Sequence, residues 1–95
     1  MRIITRKRLL EFIEHNPSAS TPLDTWYRII KHTEIVNFSE LRAIFPSADK
    51  VDNLTVFNIG ENKIRLIAAI HYSRQYLYIR HVLTHKEYDK GKWKE

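Results

Sequence analysis

The sequence predicts an α+β fold in which N-terminal helices pack on one face of a small antiparallel β-sheet. Two observations carry this prediction. Apolar residues recur at helical spacing over the first half of the 95 residues, and from Leu54 onward they follow the two-residue period of strands. Short polar turns separate the strand-like segments, which is typical of an antiparallel meander. With 43% hydrophobic residues the chain can bury one core, so we expect a single domain spanning residues 1–95.

The N-terminal half contains a short strand and two well-marked helices. Residues 2–4 predict a first strand, because Ile3 and Ile4 are β-branched. Residues 6–15 predict an amphipathic helix that Thr5 caps and that ends at Asn16, because Pro17 disfavours helical geometry in the residue before it. Residues 18–20 then form a linker. We expect a second helix, capped by Thr21 with Pro22 in its first turn and ending near residues 32–33, and its core face consists of Leu23, Trp26, Tyr27 and Ile30.

Residues 38–45 predict a third, short helix. Ser39 is the expected cap, and Pro46 closes the helix. The polar residues 47–53 that follow are expected to form a loop.

Three strands follow, over residues 54–59, 63–72 and 76–83, with turns at residues 60–62 and 73–75. Alternation places Arg65 on the face opposite Ile64, Leu66, Ala68 and Ile70. In the last strand, alternation groups His81 with the apolar Leu77, Ile79 and Leu83, so we interpret His81 as a packed histidine. Arg80 falls on the other face, so one sheet face can pack the helices while the opposite face carries both arginines.

The net charge of +5 comes entirely from the C-terminal third. Residues 63–95 contain eight Lys/Arg and three Asp/Glu, whereas residues 1–62 contain eight of each. A basic, strand-rich segment favours a polyanionic partner, most simply a nucleic acid. The alternative is a solubilising basic tail, which describes Lys90, Lys92 and Lys94 well.

A helical turn is predicted directly after the last strand. Thr84 and Glu87 have the spacing of a capping box. His85 and Tyr88, three residues apart, would share one side of that turn. Because free N–H groups at a helix start attract phosphate, a neutral His85 there would suit a general base.

Several classes of site lack their sequence signature. There is no cysteine, so disulfides and zinc-thiolate sites are absent and a reducing cytosol fits. No secretory signal and no run of about 18 apolar residues is present, so we expect a cytoplasmic protein with no membrane contact. His81 and His85 mimic metal-ligand spacing, but they straddle a strand end without a third ligand. We therefore expect no metal and no small-molecule cofactor.

The C-terminal third resembles a known family. The resemblance is carried by Val56-Phe57-Asn58-Ile59, Asn62-Lys63-x-Arg65-Leu66, Tyr78-Ile79-Arg80 and Thr84-His85-x-Glu87-Tyr88-Asp89-Lys90. These segments resemble the HigB-type toxins, the mRNA interferases of bacterial type II toxin–antitoxin pairs within the RelE-like superfamily. The resemblance implies a RelE-like fold with a basic groove opposite the helices. It also implies metal-independent cleavage of mRNA, usually on the ribosome, and a helix-turn-helix antitoxin of the HigA type.

The same resemblance implies the site residues. Arg65 and Arg80 would clamp the phosphate, His85 would act as general base or acid, and Tyr88 would position the substrate or transfer a second proton. Lys63, Lys86 and Lys90 would contact RNA.

Two other functions use the same basic face. One is a non-catalytic module that binds RNA or an acidic protein, and the other is a structural subunit whose basic face is a protein interface. Each site residue also has an alternative interpretation without a function. Arg65 and Arg80 could be solvated strand arginines. His85 could be a polar residue at a helix start, and Tyr88 could be a core aromatic residue.

Overall fold

Helices occupy the first half of the chain and strands most of the second, which confirms the predicted α+β class. The computed structural model describes residues 1–94, so Glu95, part of the expected domain, lies outside the described residues. The elements in chain order are β1 (Arg2–Ile4), α1 (Arg6–His15), α2 (Ser20–His32), α3 (Phe38–Ile44), β2 (Asp49–Val51), β3 (Leu54–Ile59), β4 (Ile64–His71), β5 (Tyr76–Thr84) and α4 (His85–Asp89). Single 3-10 turns occur at Pro17–Ala19, Tyr72–Arg74 and Lys92–Lys94.

The five strands form one mixed sheet in the order β1-β5-β4-β3-β2. The meander β3-β4-β5 is antiparallel as predicted, and β1 adds to it in parallel with β5. The helices pack on one sheet face, where Leu23, Ile30 and Leu41 are fully buried. Trp26 is buried there too, with its ring edge-on to Phe57 at 5.3 Å between centroids. None of the helices within residues 1–94 is long and apolar enough to cross a membrane.

Three predicted helix starts were wrong in detail. Thr5 precedes α1 in a left-handed conformation, and its hydroxyl donates to the Ile79 carbonyl at 2.7 Å instead of capping the helix. Residues 18–20 are not a linker, because α2 begins at Ser20 after one 3-10 turn. Thr21 therefore lies inside the first turn of α2. The cap of α3 is Asn37, not Ser39, and it accepts from the Glu40 backbone N–H at 2.9 Å.

The predicted loop at residues 47–53 contains a strand. Residues 49–51 pair antiparallel with β3 as the edge strand β2. Asp49 and Lys50 are exposed, so this strand has no apolar alternation from which it could have been predicted.

A β-bulge in β5 reverses the predicted facing of its last residues. Ile67 of β4 pairs with His81, and the next residue, Ala68, pairs with Ile79, which leaves Arg80 as the extra residue. Because one inserted residue flips every later side chain, Val82 packs toward the helices and Leu83 faces away. His81, opposite Ile67, also faces away, so its interpretation as a histidine packed among the helix-facing residues was wrong.

Candidate functional site

The sheet face opposite the helices, called the outer face below, carries most of the charged strand residues. The five strands contain four Lys/Arg (Arg2, Lys50, Arg65 and Arg80) and a single acid, Asp49. Such an excess of cations on a folded sheet attracts polyanions.

One end of the outer face is covered by the chain's own C-terminal segment, residues 85–94. Trp93, only 7% exposed, packs against Val56 and Ile67. The indole stacks on Tyr88, with centroids 5.1 Å apart and planes 14° from parallel, and its N–H donates to the Tyr88 carbonyl at 3.1 Å. Tyr88 is thus held in place by a residue that lies between the lysines interpreted from sequence as a basic tail. The only sequence signal for this role is the lone tryptophan among the lysines.

The structure brings together Arg65 and Tyr88, two of the predicted site residues. The guanidinium carbon of Arg65 lies 5.5 Å from the centre of the Tyr88 ring. Its Nη1 donates to the Asn62 carbonyl at 2.7 Å. This carbonyl belongs to the turn in which Gly60, Glu61 and Asn62 all have positive φ. A guanidinium has five N–H donors, so donors remain available to a phosphate after this contact.

Arg80 lies farther along β5 on the bulge. It is exposed, and within residues 1–94 its side chain has neither a hydrogen bond nor an ion pair. Leu83, three residues away, is the pairing partner of Arg65, so the two arginine backbones are offset by about 10 Å along the strand. A bulge commonly redirects a side chain at a functional site.

The predicted capping box at α4 is confirmed. The Glu87 N–H donates to the Thr84 hydroxyl at 3.1 Å, and the Thr84 N–H donates to the Glu87 carboxylate at 3.0 Å. The His85 N–H donates to the Lys63 carbonyl at 3.0 Å. The His85 ring is exposed, and its Nδ1 is 3.5 Å from the Asp89 carboxylate. His85 and Tyr88 therefore have different partners.

The three predicted RNA-contacting lysines lie apart. Lys90 lines a cavity of about 330 Å³ beside His81, Leu83 and Trp93. Lys63 instead borders a cavity of about 510 Å³ formed with α1 and the start of α2. Lys86 is exposed on α4.

His81 is the candidate residue that sequence reasoning placed wrongly. It pairs with Ile67 and is a diagonal neighbour of Arg65, at a typical Cα separation of about 7–8 Å. It lines the cavity beside Lys90 and a second cavity of about 310 Å³ with Arg8, Glu11, His15 and Glu87. Burial, followed by the nearby Arg8 and Arg80, lowers the pKa of His81 below its ordinary value. A neutral imidazole is therefore favoured at His81, beside Arg8 and Arg80.

Comparison with known proteins identifies the family to which the chain is similar. A family model described as HigB_toxin, the RelE-like toxic component of a toxin–antitoxin system, matches residues 19–91. The "mRNA interferase toxin HigB" of Escherichia coli K12 is 38% identical over 92 residues, covering 94% of this chain and 88% of the relative. The "mRNA interferase HigB" of Escherichia coli O6:H1 is 31% identical over 93 residues, covering 95% of this chain and 90% of the relative.

Proposed function

We propose that this chain, which belongs to the HigB family of RelE-like toxins, is an endoribonuclease that cleaves messenger RNA. The observation that carries the proposal is the cation–π contact of the Arg65 guanidinium with the Tyr88 ring at one end of a cation-rich sheet face. By cleaving mRNA on the ribosome the protein would inhibit translation. We further propose that a HigA-type antitoxin neutralises it and that residues 1–95 act as one domain.

The chemistry uses the substrate's own 2′-OH as nucleophile. A base removes the 2′-OH proton, O2′ attacks phosphorus, and the P–O5′ bond breaks. An acid then protonates O5′, which leaves a 2′,3′-cyclic phosphate and a 5′-OH. The protein has to supply the base, the acid and positive charge for the phosphorane.

Arg65 and Arg80 supply that charge. Both are permanently cationic, and each offers a planar fork of donors that matches two phosphate oxygens. Arg65 is already oriented by Tyr88 and the Asn62 carbonyl. Arg80 is free of protein partners within residues 1–94 and can turn to the substrate. Lys63, Lys86 and Lys90 would contact the flanking phosphates.

His85 is the proton-transfer residue that the family resemblance implies, with Tyr88 positioning the substrate or transferring the second proton. The geometry supports His81 as a second candidate, because it adjoins Arg80, is a diagonal neighbour of Arg65 and favours the neutral form that a base needs. His81→Asn and His85→Asn separate these roles, since loss of the true base should lower kcat about 100-fold or more.

Expression in a bacterial host tests the function. Induction of the unmodified chain should arrest growth and shorten translated mRNAs, and co-expression of an antitoxin encoded beside it should restore growth.

Arg65→Ala and Arg80→Ala should each reduce cleavage by about 100- to 1000-fold. Arg42→Ala, on α3 and outside the outer face, is the matched control. The site assignment fails if both variants fold and remain fully toxic. Intact transcripts and unchanged translation at high expression would instead favour a non-catalytic RNA-binding module.

A further inference from the structure

We propose that the end of the outer face not covered by residues 85–94 is a stacking platform for the bases of single-stranded RNA. The platform consists of His71, Tyr76 and Tyr78. This inference deepens the proposed function and rests on it, because it extends the path of the RNA away from Arg65 and Tyr88.

The three rings form one continuous surface across β4 and β5. Tyr78 meets His71 edge-to-face, with centroids 5.6 Å apart and planes at 81°. Tyr78 meets Tyr76 in the same way at 6.3 Å and 77°. The strand pairing places Ala69 opposite Tyr78, so only a methyl group stands beside that ring. Both tyrosines are half-buried and His71 is exposed, and neither tyrosine belongs to an apolar cluster formed by the described part of the chain.

The two ends of the outer face differ in composition, and only one of them is covered by residues 85–94. The covered end is aliphatic, with Val56, Ile67 and Leu83 beneath Trp93 and Tyr88. The uncovered end is aromatic, and within residues 1–94 no protein aromatic stacks face-to-face on its rings. Nucleic-acid bases stack on such rings whatever their sequence, and one stacked base typically changes affinity about tenfold or more.

The charges around the platform fit the RNA backbone. Arg2 of β1 pairs with Tyr76, and the bulged Arg80 is two residues beyond Tyr78. Both arginines are exposed, and the strands that form this end, β1, β4 and β5, contain no acid. Tyr78 is about 15 Å along β5 from Leu83, the partner of Arg65, so the platform would hold nucleotides beyond the cleaved phosphate. Cations alone would also suit an acidic peptide, but the aromatic rings favour bases.

A structural role for the same rings is distinguishable. Cross-strand aromatic pairs stabilise sheets by themselves, and in that case removing one ring changes thermal stability without changing the affinity for RNA. A ring that stacks on a base changes RNA affinity in the folded protein.

The experiment measures binding of a 2′-O-methylated RNA oligonucleotide, which the proposed chemistry cannot cleave, by fluorescence anisotropy at low salt. Tyr78→Leu should weaken binding about tenfold or more, whereas Tyr78→Phe, which keeps the ring, should bind within about twofold of the unmodified chain. Tyr27→Leu, on the helical side, is the matched control. If Tyr78→Leu fails to fold, His71→Leu on the exposed end of β4 replaces it.

The outcomes separate this inference from the proposed function. Unweakened RNA binding by a folded Tyr78→Leu variant overturns the platform even if mRNA cleavage is established. A Tyr78-dependent affinity in a protein that leaves mRNA intact supports the platform and overturns the nuclease. In a third outcome, poly-aspartate displaces the RNA as readily as unlabelled RNA does, with an affinity that does not depend on Tyr78. That result would identify the face as a site for acidic peptides and overturn the platform.

Discussion

Replacing Trp93 by alanine tests whether the C-terminal segment holds the site together. The substitution removes an indole that is 7% exposed, that stacks on Tyr88 and that donates a hydrogen bond to the Tyr88 carbonyl. Burial of such a ring contributes about 2–3 kcal/mol, the stacking about 1 kcal/mol and the hydrogen bond about 1 kcal/mol. A tryptophan-to-alanine change in a closed core costs about 3–5 kcal/mol.

We expect the lower end of that range for Trp93, because its cluster is small and only residues 85–94 have to detach. A loss of about 3 kcal/mol corresponds to a fall in Tm of about 12–24 °C for a chain of this length. The rate of mRNA cleavage should fall by more than the loss of folded protein accounts for. Without Trp93, Tyr88 loses its stacking partner, and Arg65 then contacts a Tyr88 ring that is no longer held in place. Trp93→Phe should be intermediate, because it keeps a ring but has no N–H donor.

Circular dichroism melts and mRNA cleavage, both measured well below Tm, check this expectation. Leu10→Ala, at an apolar side chain that is 50% exposed, provides the control and should change neither quantity. Cleavage at the unmodified rate by a folded Trp93→Ala variant would show that the segment does not position the site. An unchanged Tm would contradict the packing argument itself.

Three further predictions concern single interactions. Arg65→Lys keeps the charge but loses the planar fork on Tyr88, so mRNA cleavage should fall about tenfold or more while Tm stays nearly constant; activity equal to the unmodified chain would show that charge alone suffices. Because the pKa of His81 is lowered in the folded state, the unfolded chain takes up that proton first as pH falls. Stability should therefore decrease as the pH falls through the ordinary histidine pKa of about 6.5, and melts of His81→Asn should show a smaller decrease, whereas parallel curves would exclude His81 as the cause. Thr84→Ala removes the cap of α4 and should cost about 1 kcal/mol in denaturant unfolding, with Thr84→Ser as the conservative control and equal midpoints as the contrary result.

The predicted elements that were confirmed are those in which a local rule and the burial pattern agree. The α2 helix has apolar residues at helical spacing, and Leu23, Trp26 and Ile30 are the residues it buries. The capping box at Thr84 and Glu87 needs only residues three positions apart, so it was predictable from sequence. The cap of α3 was assigned wrongly because both Asn37 and Ser39 are good cap residues and local sequence does not choose between them.

The candidate site was predictable only in part, because its geometry depends on pairing between strands. Alternation correctly placed Arg65 opposite the helix-facing residues of β4, where the register with β3 and β5 is continuous up to Ile67. In β5 the extra residue is Arg80, and no turn residue or proline marks the irregularity in the sequence.

That irregularity changes the candidate chemistry. Without the bulge, His81 would lie among the helix-facing residues and the outer face would have Arg80 in regular alternation. With it, His81 lies diagonal to Arg65 and next to an unpaired Arg80, in a position where a neutral imidazole is favoured. One residue added to the strand thus converts a core position into a position beside the candidate phosphate clamp. A deletion that restores regular pairing should therefore impair cleavage more than loss of the Arg80 side chain alone.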